Sequence, residues 1–251
     1  MIPRTATALR AAILAMAILS SAQDCGSDAE PGGPAMPQDR PADREAMVTE
    51  QLAERDITDP RVLAAMRAVP RHAFVPDDMA PFAYDDSALP IGHGQTISQP
   101  YIVALMTQSV RLQPDSRVLE VGTGSGYQAA VCAEITPHVW TIEIVEPLAE
   151  RAARDLEAPG YDTVVCRTGD GYQGWPEHAP FDAVLVTAAP DHVPEALFEQ
   201  LAPGGRMCIP VGDEFGTQEL RLITKGPQGQ RLEERITFVR FVPMTGEARD
   251  G

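Results

Sequence analysis

A short apolar segment at residues 118–121 runs directly into three alternating glycines, Gly122, Gly124 and Gly126, and then into a helix-compatible stretch that starts at Tyr127. A strand that ends at a glycine turn and restarts as a helix places backbone N–H groups and the positive end of a helix dipole around a bound group. The stretch therefore predicts a pocket for a small, polar and partly anionic ligand at the carboxyl end of a buried strand.

Strand and helix patterns alternate after residue 113. Short apolar runs predict strands at 118–121, 139–144, 164–167, 183–187 and 206–211. Helical spacing predicts helices at 127–135, 147–156 and 193–201. This alternation predicts an α/β fold, namely a three-layer, doubly wound and mostly parallel sheet with helices on both faces. Because Gly226-Pro227-Gln228-Gly229 joins apolar runs at 220–224 and 236–242, we expect the sheet to finish with an antiparallel pair.

Residues 1–22 have the layout of a secretory signal peptide. Arg4 and Arg10 precede an apolar run at 11–19, and Ser20 and Ala22 supply the small residues that suit cleavage after Ala22. The run is too short to span a bilayer as a helix. We therefore expect an exported, periplasmic protein, and the alternative is a cytoplasmic chain whose N-terminus is an ordinary extension.

Domain boundaries follow from composition. Residues 23–43 are rich in Pro, Gly and Asp without apolar periodicity, which predicts a flexible linker. Residues 44–251 are expected to form one domain: N-terminal helices and a substrate loop (44–112), a ligand-binding core (113–225), and a C-terminal strand and tail (226–251). The polar loop at 92–100, just before a helix at 101–110, can present hydroxyls and amides without fixed secondary structure, or it can be a plain connector.

The net charge restricts the partners. Acidic residues outnumber basic ones 36 to 20, for a formal net charge of −16, so the surface repels phosphate backbones and argues against a nucleic-acid partner. The histidines show no metal-ligand spacing, and no metal is expected. We expect a monomer without a membrane-spanning segment.

The spacing of the three glycines restricts the class of ligand that the loop can bind. A dinucleotide fingerprint needs Gly-x-Gly-x-x-Gly, whereas Tyr127 stands where its third glycine would be. The compact Gly-x-Gly-x-Gly after an acid-ended strand resembles the loop of S-adenosylmethionine-dependent methyltransferases. Glu143, at the end of the next predicted strand, can accept hydrogen bonds from two vicinal ribose hydroxyls, and Asp170 and Gly171 can border the adenine.

Most of the chain, from Met47 to Gly246, resembles the protein-L-isoaspartate O-methyltransferases. The segments that carry the resemblance are 59–66, 70–76, 94–101, 118–128, 169–171, 179–183, 187–190 and 239–243, which occur in the family's order. The resemblance implies a Rossmann-like fold with an N-terminal helical subdomain, S-adenosylmethionine as cofactor and isoaspartyl-containing proteins as substrates.

The resemblance also implies site residues. Ser98 is the family's active-site hydroxyl, and Gln95, Thr96 and Ile97 line the junction of cofactor and substrate. The remaining cofactor-binding residues are Glu120, Gly122, Gly124, Gly126, Glu143, Asp170, Gly171 and Gln218. A substrate peptide would lie near Thr187 and Ala188, after the fourth predicted strand of the core, and near Val211, after the fifth.

The implied reaction needs no general base. A carboxylic acid has an unperturbed pKa of roughly 3.3 to 4.3, so the isoaspartyl α-carboxylate is already a nucleophile at neutral pH. Ser98 would orient this carboxylate, and the methyl ester formed would collapse to a succinimide that reopens partly as normal aspartate, which is protein repair. Two alternatives stay open: methylation of a small molecule, and an exported cofactor- or peptide-binding module without turnover.

Overall fold

The N-terminal part of the chain is helical. The computed structural model describes residues 38–213 and 216–246, so the predicted signal peptide and residues 23–37 of the predicted linker lie outside the described residues. Helix α1 (Pro41–Ala46) continues as a π-helix (Met47–Ala53), and α2 (Pro60–Ala68) follows. The Asp59 carboxylate caps α2 by accepting a hydrogen bond of 2.9 Å from the backbone N–H of Arg61. The π-helix buries Met47, Val48 and Leu52, and α2 buries Val62, Ala65 and Met66.

A small antiparallel hairpin precedes α3 (Pro100–Val110). Its strands are β1 (Leu89–Gly92) and β2 (Gln95–Ile97), joined at His93 and Gly94. Both turn residues have positive φ, 53° and 71°, as hairpin turns that match the strand twist require. The prediction that residues 92–100 lack fixed secondary structure is therefore wrong for Gln95, Thr96 and Ile97. Ser98 follows the second strand directly.

A seven-stranded sheet forms the centre of the fold, as predicted. Its strands are β3 (Val118–Val121), β4 (Val139–Glu143), β5 (Val165–Thr168), β6 (Phe181–Val186), β7 (Leu201–Val211), β8 (Gln218–Lys225) and β9 (Arg231–Val239). The order is β5-β4-β3-β6-β7-β8-β9, with parallel pairing as far as β7 and antiparallel pairing of β8 and β9. Strand order reverses between β3 and β6, and such a switch point opens a ligand crevice at the carboxyl ends of the strands.

Two buried clusters lie on opposite faces of this sheet, which makes three layers. One includes the apolar sides of α2 and α3, of α4 (Tyr127–Ala133) and of α5 (Glu146–Glu157). The other lies under α6 (Glu195–Glu199) and the 3-10 turn Gly171–Gln173, and contains Trp140, Trp175 and Phe181. The second face is thus covered by short elements and aromatic rings instead of full-length helices.

Most element bounds differ from the predictions by one or two residues, and β7, predicted from residue 206, already begins at Leu201. The helix predicted at 193–201 is only Glu195–Glu199, because Pro194 precedes it and β7 begins at Leu201. Strand β9 begins at Arg231 and ends at Val239, whereas the prediction was 236–242. Its first half consists largely of exposed charged side chains on an edge strand, which give no apolar signal. Among the described residues, no helix is long and apolar enough to span a bilayer.

Candidate functional site

An open cleft lies at the carboxyl ends of β3 and β4. The predicted site residues that line it are Gln95, Thr96, Ile97, Ser98, Glu120, Gly122, Gly124, Glu143, Gly171, Thr187 and Ala188. The other lining residues are Val103, Val121, Thr123, Ser125, Tyr127, Gln128, Ile144, Val145, Val242, Pro243, Met244 and Thr245. The fold therefore brings the hairpin, the glycine loop and the ends of three parallel strands to one place.

The glycine loop packs closely against Thr187 and Leu156. Gly122 has a φ of 97°, and a Cβ there would lie 2.5 Å from Oγ1 of Thr187, so only glycine fits. The Thr187 hydroxyl donates to the carbonyl of Gly122 at 2.5 Å, which joins the end of β6 to the loop. Gly126 does not line the cleft; a Cβ there would lie 3.1 Å from Cγ of Leu156, so this glycine lets α5 pack against the start of α4.

Glu143 fastens the loop from the neighbouring strand. One carboxylate oxygen accepts a hydrogen bond from the Gly124 N–H at 2.8 Å, and the other accepts one from the Val145 N–H at 2.9 Å. Each oxygen has a second lone pair, so both can also accept from ligand hydroxyls. This arrangement can bind a pair of adjacent hydroxyl groups at the rim of the cleft.

Glu120 is a buried acid in the cleft wall. Its Oε2 accepts a hydrogen bond from the Thr141 hydroxyl at 2.5 Å, and Thr141 in turn pairs with Thr123 at 2.6 Å. Its Oε1 is buried and has no hydrogen-bond partner within residues 38–213 and 216–246. Burial raises the pKa of Glu120 to about 8, the Thr141 hydrogen bond opposes this rise, and the charge of Glu143 adds to it. In the ligand-free protein the side chain is therefore mainly neutral at neutral pH, and a cationic group beside Oε1 would lower this pKa and favour the carboxylate, which can accept a hydrogen bond.

Ser98 lies where the cleft meets a second groove of about 930 Å³. Four residues line both spaces, namely Thr96, Ser98, Thr187 and Val242. The groove is further lined by Ala88, Gln99, Ile102, Phe238, Val239, Arg240 and Phe241. Ser98 is partly exposed, and its hydroxyl makes no hydrogen bond in the described part of the chain, so it can bond to a molecule that enters from either side.

Three more predicted site residues lie outside the cleft lining. Asp170 caps the 3-10 turn Gly171–Gln173 by accepting from the Tyr172 N–H at 2.9 Å, directly behind Gly171. Gln218 is buried, and its amide pairs in both directions with the main chain of Phe241, at 2.6 and 3.1 Å. Val211 is buried at the end of β7. These residues support the walls of the cleft and do not face it.

Sequence reasoning missed one wall of the cleft. Val242, Pro243, Met244 and Thr245 form it, and Ala189 holds this segment by accepting from the Met244 N–H and donating to the Val242 carbonyl, both at 2.8 Å. Residues 239–243 are one of the segments that carry the family resemblance, but nothing in them indicates where the chain lies after its last strand. The described residues contain no group of three or more His, Cys, Asp or Glu that could hold a metal ion.

This seven-stranded sheet, with a glycine loop after β3 and an acid at the end of β4, defines an S-adenosylmethionine-dependent methyltransferase. The buried Glu120 oxygen that lacks a partner among the described residues, and the carboxylate of Glu143 in the same cleft, are suited to the amino group and ribose of that cofactor. The sequence profile of the protein-L-isoaspartate(D-aspartate) O-methyltransferase (PCMT) family matches residues 42–249. The chain belongs to this family.

Relatives and solved structures agree with this assignment. A protein-L-isoaspartate O-methyltransferase of Opitutus terrae is 62% identical over 208 residues, which cover 83% of this chain and 89% of the relative. A protein-L-isoaspartate O-methyltransferase of Gloeobacter violaceus is 55% identical, and the match covers 98% of that protein.

Among solved structures, a protein-L-isoaspartate O-methyltransferase superposes with a TM-score of 0.74 at 31% identity, over 81% of this chain and 66% of that one. A Plasmodium falciparum protein assigned to the same family, in complex with S-adenosyl-L-homocysteine, has a TM-score of 0.71 at 28% identity, over 80% of this chain and 98% of that one.

Proposed function

We propose that this protein transfers the methyl group of S-adenosylmethionine to the α-carboxylate of isoaspartyl residues in damaged proteins. The observation that carries the proposal is the position of Ser98: its hydroxyl makes no hydrogen bond to the described residues and lies where the cleft of the glycine loop meets an open groove. Family membership supplies the substrate class.

Both hydrogen-bond acceptors and apolar residues would contact the cofactor. Glu143 would accept from the ribose hydroxyls, while Gly171 and Ile144 border the adenine side of the cleft. The unpartnered Oε1 of Glu120 can accept from the amino group of the cofactor, beside Gly122 and the rest of the glycine loop. When bound, the cofactor supplies a methyl group activated by a positively charged sulfur.

The chain's own contribution to the reaction is alignment and exclusion of water. The acceptor carboxylate is ionised at neutral pH and needs no base, so Ser98 has only to donate a hydrogen bond that orients it. Holding two reactants in line can contribute on the order of 7–11 kcal/mol to the rate. The hairpin and the segment of Val242 to Thr245 both line the cleft and would cover the reacting groups.

The groove has the properties that a peptide site requires. It is open, and its lining includes both Ser98 and the exposed residue Phe238, of which 58% is accessible. An extended chain can therefore lie across it with the isoaspartyl residue at Ser98, near Thr187. Thr187 and Ala188 would contact the reacting residue, whereas Val211 would act only by supporting the wall.

Labelled-methyl transfer to matched isoaspartyl and aspartyl peptides tests the proposal. We expect label on the isoaspartyl peptide only. Equal labelling of both would contradict repair and favour a less selective O-methyltransferase. No label together with tight cofactor binding would favour a binding module without turnover.

We further propose that the protein is an exported, periplasmic monomer. The layout of residues 1–22 supports export, and S-adenosylmethionine would then have to be present outside the cytoplasm. The edge strand β9 supports the monomer, because Arg231, Glu233, Glu234 and Arg235 are poor partners for edge-to-edge pairing. Light scattering of the purified protein, giving the mass of one chain, is the expected result.

A further inference from the structure

Arg71 is a fully buried arginine behind the candidate site. It begins the 3-10 turn Arg71–Phe74, and its Nε donates to the Ala83 carbonyl at 2.7 Å. Its Nη2 donates to the carbonyl of Ser98, also at 2.7 Å. Its guanidinium carbon lies 4.7 Å from the centre of the Tyr127 ring. One side chain therefore contacts both the hairpin side and the glycine-loop side of the cleft.

The electrostatic surroundings of Arg71 are unusual for a buried charge. Buried arginines are normally paired with a carboxylate. Arg71 makes no ion pair within the described ranges, and its Nη1 has no hydrogen-bond partner there. Burial lowers the pKa of the guanidinium, while its neighbours, Tyr127 first, oppose this fall. Packing alone would be served by an apolar side chain of similar volume, so the planar, forked shape of arginine has another use here.

The contacts of Arg71 with Ser98 and with Tyr127 reach two different parts of the candidate site. Ser98 lines both the cleft and the groove, and Tyr127 lines the cleft at the first position of α4, immediately after the glycine loop. Because the guanidinium is rigid, a bond to the Ser98 carbonyl at one end fixes the Ser98 main chain relative to the Tyr127 ring. The distance between the orienting hydroxyl and the cofactor side of the cleft is thereby set.

We propose that Arg71 is a positioning residue for methyl transfer: it holds the Ser98 main chain in register with the Tyr127 end of the glycine loop. This inference rests on the function proposed above. Arg71 does not line the cleft, so it acts through Ser98 and Tyr127 and leaves cofactor binding largely unaffected.

Arg71→Lys and Arg71→Met test the role, with Arg117→Met as a matched control. Arg117 also donates to two carbonyls, those of Pro180 and His178, and its guanidinium lies 4.6 Å from the Trp140 ring, but it is remote from Ser98. Lysine keeps the charge of Arg71 without the fork, so it cannot hold both carbonyls. Thermal unfolding establishes that each variant is folded, and Arg71→Lys is the informative protein if Arg71→Met does not fold.

The readouts are kcat and KM for an isoaspartyl peptide, and the cofactor Kd from calorimetry. For Arg71→Lys we expect kcat to fall about 10- to 100-fold, since small misplacements of reacting groups have effects of that size. The cofactor Kd should change less than about threefold, because the cleft lining is intact. Arg117→Met should lower the melting temperature and leave kcat unchanged.

A double variant separates positioning from general stability. If Arg71 acts through Ser98, Arg71→Lys should lower kcat much less in a Ser98→Ala background than in the wild type. Full additivity would overturn the proposal, as would an unchanged kcat in folded Arg71→Lys while the wild type methylates the peptide. Absence of methylation by the wild type would overturn the proposed function, and the role of Arg71 with it.

Discussion

Glu143 Oε2 accepts a hydrogen bond from the backbone N–H of Gly124 at 2.8 Å, so the acid assigned to the ligand also shapes the loop that binds it. The carboxylate of β4 and the glycine turn after β3 are consequently one unit. A substitution at Glu143 changes both the ligand contact and the loop that lies under the ligand.

Glu143→Gln should weaken cofactor binding about 10- to 100-fold, because the amide loses the charge and one of the two oxygens that accept hydrogen bonds. Calorimetric titration with S-adenosyl-L-homocysteine measures this effect without turnover. Glu146→Gln is the control, since Glu146 is exposed in the first turn of α5. Equal affinities for the wild type and Glu143→Gln would remove Glu143 from the ribose site.

Ser98→Ala should lower kcat about 10- to 100-fold, as expected when one hydrogen bond to a charged group is lost. Stability should hardly change, because the Ser98 hydroxyl makes no hydrogen bond in the described structure. Ser109→Ala is a suitable control, since the Ser109 hydroxyl donates to the Leu105 carbonyl of its own helix and lines neither the cleft nor the groove. An unchanged kcat in Ser98→Ala would show that the hydroxyl does not orient the acceptor.

Glu120 should make the ligand-free protein less stable as the pH rises. The folded state raises the pKa of Glu120 from 4.5 to about 8, so between these values the folded protein binds a proton that the unfolded chain has released. The stabilisation is complete below about pH 4.5 and is lost as the pH passes about 8. Denaturant unfolding at pH 5, 6, 7 and 8 measures the decline.

Glu120→Gln is the control for this pH dependence, since an amide does not titrate. Burial also raises the pKa of Asp155, which remains in both proteins, so the difference between wild type and variant isolates Glu120. Unfolding free energies that run parallel in the two proteins from pH 5 to 8 would contradict the assignment.

Gly171→Ala should destabilise the protein and close the floor of the cleft. A Cβ at Gly171 would lie 2.3 Å from Cγ1 of Val121 and 3.2 Å from Cε of Met244, both in the cleft lining. Overpacking of this kind costs about 1–3 kcal/mol. The control is Gly169→Ala, whose Cβ would have an ordinary contact of 3.6 Å with Nε of Arg167. Similar melting temperatures and cofactor affinities for the two variants would contradict the expected close packing.

Export predicts a mature chain that starts at Gln23. Mass spectrometry of the protein from the native cell envelope fraction should give the mass of residues 23–251, and Leu14→Arg, in the middle of the apolar run, should retain the full-length chain in the cytoplasm. An intact N-terminus at Met1 in the cytoplasmic fraction of wild-type cells would rule export out.

Local signals predicted the parts of the site that lie close together along the chain. The apolar strand, the glycines and the helix from Tyr127 are consecutive, so their pattern alone indicates a ligand loop. The hairpin of β1 and β2 was missed because both strands are short and Gln95 and Thr96 in β2 are polar. The burial of Arg71 was also unpredictable, since its partners Ala83 and Ser98 come from later segments that only the tertiary fold brings to it.

Val242 to Thr245, held against Ala189, are synthesised after every other residue that lines the cleft. A nascent chain can therefore form β3, its glycine turn and α4 long before the opposite wall has been synthesised. The complete cleft arises only after synthesis has passed Thr245. If the chain is exported through a channel that admits unfolded polypeptide, the cofactor can be bound only after the C-terminal segment has crossed the membrane.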